Sequence, residues 1–287
     1  MRCFRFGRRT RADAMSRTVW RIAFSLLLFV SAAGVAPADS GDPYQAEVIV
    51  TGQGEASRQA GFAKCLVDVL VKVSGDPRVA AEPEAVALAG NPGDLVAAYR
   101  FHDRMSGIPV HDEQGSRDRP YDLTVSFDPA RIDAVLRSLG REPWAGPRPR
   151  LVLFLTVRNG STAFVLSADG ERGRSMREAL AAAAARFAMP VILPSLAVLA
   201  EVGLDGGNRP PGGFAAIQAM ARAAGGDLAI GGDLVWDEES PGWIADWRLE
   251  VGGKSRQWRI RGVGFDQAFL NAIGGAMQIL SGHGWPE

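Results

Sequence analysis

The sequence predicts an α+β protein of two α/β units, the second holding an antiparallel, Trp-rich meander covered by helices. Three observations carry this. Apolar residues recur at three- and four-residue steps in several segments, most clearly over 57–74. Apolar and polar residues alternate strictly over 121–127 and again in three runs between 228 and 260. Between the two patterns lies REPWAGPRPR at 141–150, whose prolines resist both helix and central strand. The expected organisation is a leader at 1–38, a first unit at 39–140, a linker at 141–150 and a second unit at 151–287.

Each element has a local reason. Residues 44–51 (YQAEVIVT) read as a strand broken by Gly52 and Gly54. Over 57–74, Phe62, Leu66, Val69, Leu70 and Val73 define one helix face, while Lys64, Asp68 and Lys72 line an outer stripe at i,i+4 spacing. Gly75 and Pro77 end it. Residues 94–101 read as a second, shorter helix, and 105–119 as an exposed loop. The strand at 121–127 (YDLTVSF) runs into Asp128-Pro129, an N-cap followed by a proline at the first helical position. The helix after it turns Ile132, Val135, Leu136 and Leu139 inward. The first unit therefore reads as βααβα.

In the second unit, 151–157 (LVLFLTV) is a continuous apolar run suited to a buried strand. Asn159-Gly160 returns the chain into 162–167. Met176, Leu180, Ala183 and Phe187 mark a helix stopped by Pro190, with a brief strand at 191–193. Residues 203–213, rich in Gly and Pro, read as a mobile loop before a helix carrying Phe214, Ile217, Met220 and Ala224. The meander follows: Leu228, Ile230, Leu234 and Trp236 share one parity, as do Trp243, Ala245, Trp247, Leu249 and Val251. Asp246, Arg248 and Glu250 then face water. Gly252-Gly253 turns into a third strand with Trp258 and Ile260 inward, and a helix over 266–281 closes the sheet.

The start of the chain reads as an export address. Arg17 and Arg21 precede an apolar core at 22–30 (IAFSLLLFV), and Ala36-Pro37-Ala38 offers a small-x-small cleavage site. The run falls short of the roughly 20 apolar residues of a membrane span. The expectation is a periplasmic protein; the alternative is an inner-membrane protein anchored by an uncleaved leader. Either Met1 or Met15 can serve as the start. Removing residues 1–38 leaves 25 basic and 31 acidic residues, a formal net charge of −6. Such a chain is a poor binder of nucleic acid or of anionic lipid. Cys3 departs with the leader, so Cys65, set among Ala63, Leu66 and Val69, reads as a buried, inert thiol.

The chemistry-bearing patterns are weak. Gly52-x-Gly54 between strand and helix resembles a dinucleotide turn, yet Ser57 stands at the third glycine and Glu55 where a pyrophosphate would lie. No nucleotide is expected. His102 and His111, with Asp103, Asp112 and Glu113, form a loop cluster that suits a divalent metal in composition but not in spacing. His283 lies at a terminus expected to fray. Four of the seven tryptophans fall at 236–258, and their parity assigns them to core rather than to a sugar platform. No nucleophile elbow or Cys/His pair stands out. No catalytic, cofactor-binding or metal-binding residue is assigned, and no cofactor is expected.

Two segments carry a family resemblance. One is Arg58-x-Ala60 running into Val69-Leu70-Val71-Lys72-Val73-Ser74-Gly75. The other is Leu123-x-Val125-x-Phe127-Asp128 with Val135-Leu136, Gly140, Pro143-Trp144 and Arg148-Pro149. The chain resembles the bacterial envelope proteins grouped as domain of unknown function 2066. That resemblance implies export and envelope residence, and no active site. The resulting expectation is a periplasmic accessory protein that binds an envelope protein or peptidoglycan, with membrane contact only if the leader is retained. The competing reading is a metal-assisted or acid–base hydrolase of envelope material centred on the 102–113 loop.

Overall fold

In the computed structural model, β1 (Gln45–Thr51), β3 (Pro120–Phe127) and β2 (Val96–Asp103) form an antiparallel three-stranded sheet in the order β1-β3-β2. The structure describes Met1 and residues 41–108, 118–201, 203–204 and 213–286. The leader, His111 and most of the 203–213 loop lie outside the described residues. Among those described there are seven α-helices and two sheets, an α+β fold.

Helix α1 (Glu55–Ser74) lays Phe62, Cys65, Leu66, Val69 and Val73 on the sheet, against Ala46, Val50, Leu123, Val125 and Phe127. Gly75, at φ 74°, ends it, and its N–H donates to Val71 O. An added Cβ there would lie 2.6 Å from Ser281 Cβ, so the position needs glycine for conformation and for space. A 3₁₀ turn (Pro77–Ala81), α2 (Pro83–Ala89) and a second 3₁₀ turn (Gly93–Leu95) lead into β2. Asp128 caps α3 (Pro129–Ser138) by accepting from the Arg131 N–H at 3.0 Å.

Two local expectations are corrected. Residues 96–103 are a strand, not a helix. Without them one side of β3 would lack ladder partners, and β2 supplies these from Val96↔Phe127 to Asp103↔Tyr121. Val96, Tyr99 and Phe101 suit that role, and an apolar spacing this short does not separate the two states. Lys72 is not on an outer stripe. It is 5% exposed, because the last turn of α1 runs beneath the second half of the chain, and its ammonium donates to Gln45 O at 2.6 Å. Burial lowers its pKa. Asp68 of the same stripe instead accepts from Arg186 at 2.7 Å.

The second sheet contains β4 (Leu151–Asn159), β5 (Thr162–Val165), β6 (Val191–Ile192), β7 (Leu228–Asp237), β8 (Gly242–Val251) and β9 (Lys254–Val263), in the order β5-β4-β7-β8-β9, with the short β6 also on β4. Strands β4 and β7 are parallel; the meander β7-β8-β9 is antiparallel. The crossover between β4 and β7 carries α4 (Arg174–Phe187), the short α5 (Leu196–Glu201) and α6 (Gly213–Ala223). One face of this sheet is dry. Leu151, Leu153, Leu155, Ile230, Leu234, Trp243, Trp247 and Leu249 pack there on α4 and on α7 (Phe265–Leu280) through Leu180, Phe187, Phe269, Ile273 and Met277.

By contacts, Pro37–Glu287 forms one unit. Residues 141–150 are tied into it: the Trp144 N–H donates to Val73 O at 2.7 Å and Arg148 to Phe187 O at 2.8 Å. The C-terminal residues are also held. The His283 ring lies 3.1 Å from Ser74 O through Nε2 and 3.7 Å from Asp76 through Nδ1, so the expected fraying is corrected by contacts with the end of α1.

Candidate ligand-binding cleft

The second face of the larger sheet is only half covered. Near the starts of β4 and β7, Val152, Phe154 and Ala229 are buried under Phe214, Ile217, Met220 and Ala221 of α6, with Leu199 of α5. Farther along the strands the character changes. Register places Val165, Thr156, Asp233, Asp246 and Arg259 in one row across five strands. The neighbouring row holds Phe154, Gly231, Arg248 and Gln257. A side-chain period of two puts both rows on this face.

The result is a cleft of ≈ 400 Å³ between α6 and the β8–β9 hairpin. Its apolar floor is Phe154, Val165, Phe214 and Ile217; its polar rim includes Thr156, Arg158, Asp233, Asp246, Arg248, Gln257 and Arg259. Paired glycines shape the floor. At Gly231 an added Cβ would meet Ile217 Cδ1 and Phe214 Cε2 at 3.4 Å, on the cleft side. At Gly232 it would lie 2.3 Å from Trp247 Cζ3, on the dry side.

Asp233 and Asp246 are direct cross-strand partners, an arrangement that disfavours two free charges. Arg259 offsets this by a bidentate contact to Asp246, at 2.6 Å and 3.0 Å, which raises the guanidinium pKa. Arg248 donates to Glu250 at 2.6 Å and lies 4.7 Å from the centre of the Phe214 ring. Its Nε–H is buried with no partner among the described residues. Arg158 at the rim is exposed and has neither ion pair nor hydrogen bond among the described residues. Guanidiniums with unused donors bind carboxylates and other planar anions well.

None of these residues is assigned a role from the sequence. The available signal was the polar parity of β7–β9, read there as a solvent face. Asp246, Arg248 and Glu250 are instead half-buried, because α6 rises beside them and walls the face.

The weaker motifs fall elsewhere. Gly52 and Gly54 form a plain β1–α1 turn: the Gly52 N–H donates to Arg119 O, and Glu55 pairs with Arg58. His102 is on the edge strand β2, exposed, 3.6 Å from Asp122. Asp103 pairs with Arg119 at 3.0 Å. His111, Asp112 and Glu113 lie outside the described residues, and among those described no group of three His, Cys, Asp or Glu could hold a metal. Cys65 is fully buried, and burial pushes its thiol up to about 12. Trp243 and Trp247 are core, with Trp247 6.5 Å from Phe269. Among the described residues no helix is long and apolar enough to cross a membrane.

Residues 38–145 match a family described as a domain of unknown function (DUF8605). This overturns the resemblance to domain of unknown function 2066, which nothing supports. The residues that carried it, Val69–Gly75 and Leu123–Asp128, are the packing surfaces of α1 and β3 with their caps. Any helix laid on an antiparallel strand requires such a pattern, so it discriminates poorly between families. The matched segment covers the smaller sheet and stops before β4, and thus before the cleft. No curated protein matches the chain.

Proposed function

We propose that the chain is an exported protein of the bacterial cell envelope that acts by binding, as an accessory component rather than an enzyme, and that the cleft on the larger sheet is its binding site. Export rests on the leader, with its basic start, apolar core and Ala36-Pro37-Ala38 exit. The partner is another envelope component, protein or peptidoglycan. The observation that carries the binding reading is the half-open sheet face. A concave, partly apolar surface with a few fixed polar groups, built on strands, is the usual form of a ligand site. Its charges favour recognition over proton transfer: Asp246 is held by Arg259 and Arg248 is shared with Glu250.

The test is site-specific photo-crosslinking in the native host. A crosslinker at Gln257, on the cleft rim, is expected to give a defined adduct with an envelope component. The same group at Glu84, on the exposed side of α2, is expected to give none. The mature amino terminus, read by mass, is expected at Asp39. Equal adducts at both positions, or a chain retained in the cytoplasm, would sink the proposal.

A further inference from the structure

Resting on that reading of the cleft, we infer that its ligand is a short extended peptide segment of a protein partner, carrying two carboxylates separated by apolar residues. The argument starts from donors the fold leaves unused. Arg259 is consumed by Asp246, whereas Arg158 has no acceptor among the described residues and the Arg248 guanidinium, with its side chain 42% exposed, spends only one Nη on Glu250. Guanidinium N–H groups with no internal acceptor are the ones an incoming carboxylate takes up.

The two guanidiniums stand at opposite corners of the cleft. Arg158 is on β4 and Arg248 on β8, with β7 between them. Arg158 shares a row with Val235 and Ile244, four residues along β8 from Arg248. Strand geometry then separates the two α-carbons by roughly 10 Å across the sheet and roughly 13 Å along it. The long side chains shorten that span. An extended chain rises roughly 3.4 Å per residue and alternates its side chains, so acidic residues four positions apart share one face and span roughly 14 Å, reaching both ends.

The middle of the cleft fits such a segment. Phe154, Val165, Phe214 and Ile217 offer the apolar floor. Thr156 and Gln257 make no side-chain hydrogen bond among the described residues and are available to a peptide backbone.

The test uses fluorescence anisotropy with the purified full chain and a labelled, end-blocked peptide Glu-Ala-Leu-Ala-Glu, whose two Glu and central Leu share one face when extended, against its Gln-Ala-Leu-Ala-Gln counterpart. The acidic peptide is expected to bind about tenfold more tightly than the amide form, and less tightly as salt rises. Arg158→Gln, an exposed change that leaves the thermal midpoint in place, is expected to remove most of that preference. Equal affinity for both peptides, no binding up to about 1 mM, or an unaffected Arg158→Gln protein would overturn the inference. A muropeptide outcompeting the acidic peptide would overturn the protein source. If the Gln257 crosslink still forms while the peptides fail, the ligand class is wrong and the cleft stands; if both fail, the cleft reading falls.

Discussion

The guanidinium of Arg148 lies 4.5 Å from the centre of the Trp144 indole and donates to two carbonyls from different helices, Phe187 O at 2.8 Å and Lys72 O. Those oxygens belong to the last turns of α4 and α1, where backbone acceptors lack intrahelical partners. One side chain thereby joins the helix on the smaller sheet to the helix on the larger. Burial lowers its pKa to about 10, leaving it charged at neutral pH.

Arg148→Ala is therefore expected to destabilise the protein by about 3 kcal/mol, the combined loss of a stacked cation and of two buried acceptors' donor. Arg148→Lys keeps the charge but cannot stack or reach both carbonyls, and is expected to recover less than half of the loss. Urea unfolding of the purified chain measures both. An unchanged midpoint in the alanine variant would show that the two halves hold together without this contact.

Asp76 gives a pH prediction. Its carboxylate is wholly buried and accepts from Arg78 at 2.9 Å and Arg141 at 2.7 Å, with the His283 ring 3.7 Å away. Burial alone would raise its pKa, but the hydrogen bonds and charges of Arg78 and Arg141 outweigh it and hold the carboxyl below its ordinary 3.8. A carboxyl depressed in the folded state binds protons less readily there than in the unfolded chain. Its contribution is thus complete above about pH 4 and fades as pH falls through the folded value. Asp76→Asn is expected to cost about 3 kcal/mol at pH 7. The gap between variant and parent should narrow as pH drops below about 4. A gap that stays constant down to pH 2 would contradict the assignment.

Elements that bury one face over several turns or strand pairs are legible in the sequence. In α1 and α4 the periodic apolar residues are the ones found buried, as are Phe214, Ile217 and Met220 of α6 and Phe269, Ile273 and Met277 of α7, whereas Ala224 and Leu280 are half-buried; Trp243, Ala245, Trp247 and Leu249 mark the inner face of β8 correctly. What is not legible depends on partners distant in sequence. β2 is a strand because β3 offers it an edge, and Lys72 is buried because α4 and residues 141–150 close over the end of α1. The cleft is hidden for the same reason. Asp246 and Arg248 alternate as solvent-facing residues do, and only the position of α6, more than 20 residues earlier, makes a concavity of them. His283 docks because Asp76 waits some 200 residues away.

Cys65 should be chemically silent in the folded chain. It is completely buried against α1's partners in the smaller sheet, and burial raises its thiol to about 12. The thiolate is the reactive form, so both access and ionisation are withheld. Ellman's reagent at pH 8 is expected to label less than about a tenth of the thiol in an hour without denaturant, and all of it in denaturant. Rapid labelling of the native chain would mean that α1 lifts readily from its sheet.

The adjacent glycines of β7 separate stability from binding. Gly232 faces the dry side, where an added Cβ would lie 2.3 Å from Trp247 Cζ3 and 2.9 Å from Leu155 Cδ1. Trp247 is 1% exposed and packed against Phe269, so it has no room to withdraw. Gly232→Ala is expected to cost about 3 kcal/mol through overpacking. Gly231 faces the cleft, and its Cβ would touch Ile217 and Phe214 at 3.4 Å, a distance a small side-chain shift accommodates. Gly231→Ala is expected to change stability by less than about 1 kcal/mol while raising the floor of the cleft. Thermal unfolding and peptide anisotropy on the two variants should therefore give opposite rankings: Gly232→Ala less stable, Gly231→Ala weaker in binding. If both variants lose stability alike, the two faces of β7 are equally packed and the cleft floor has no room to spare.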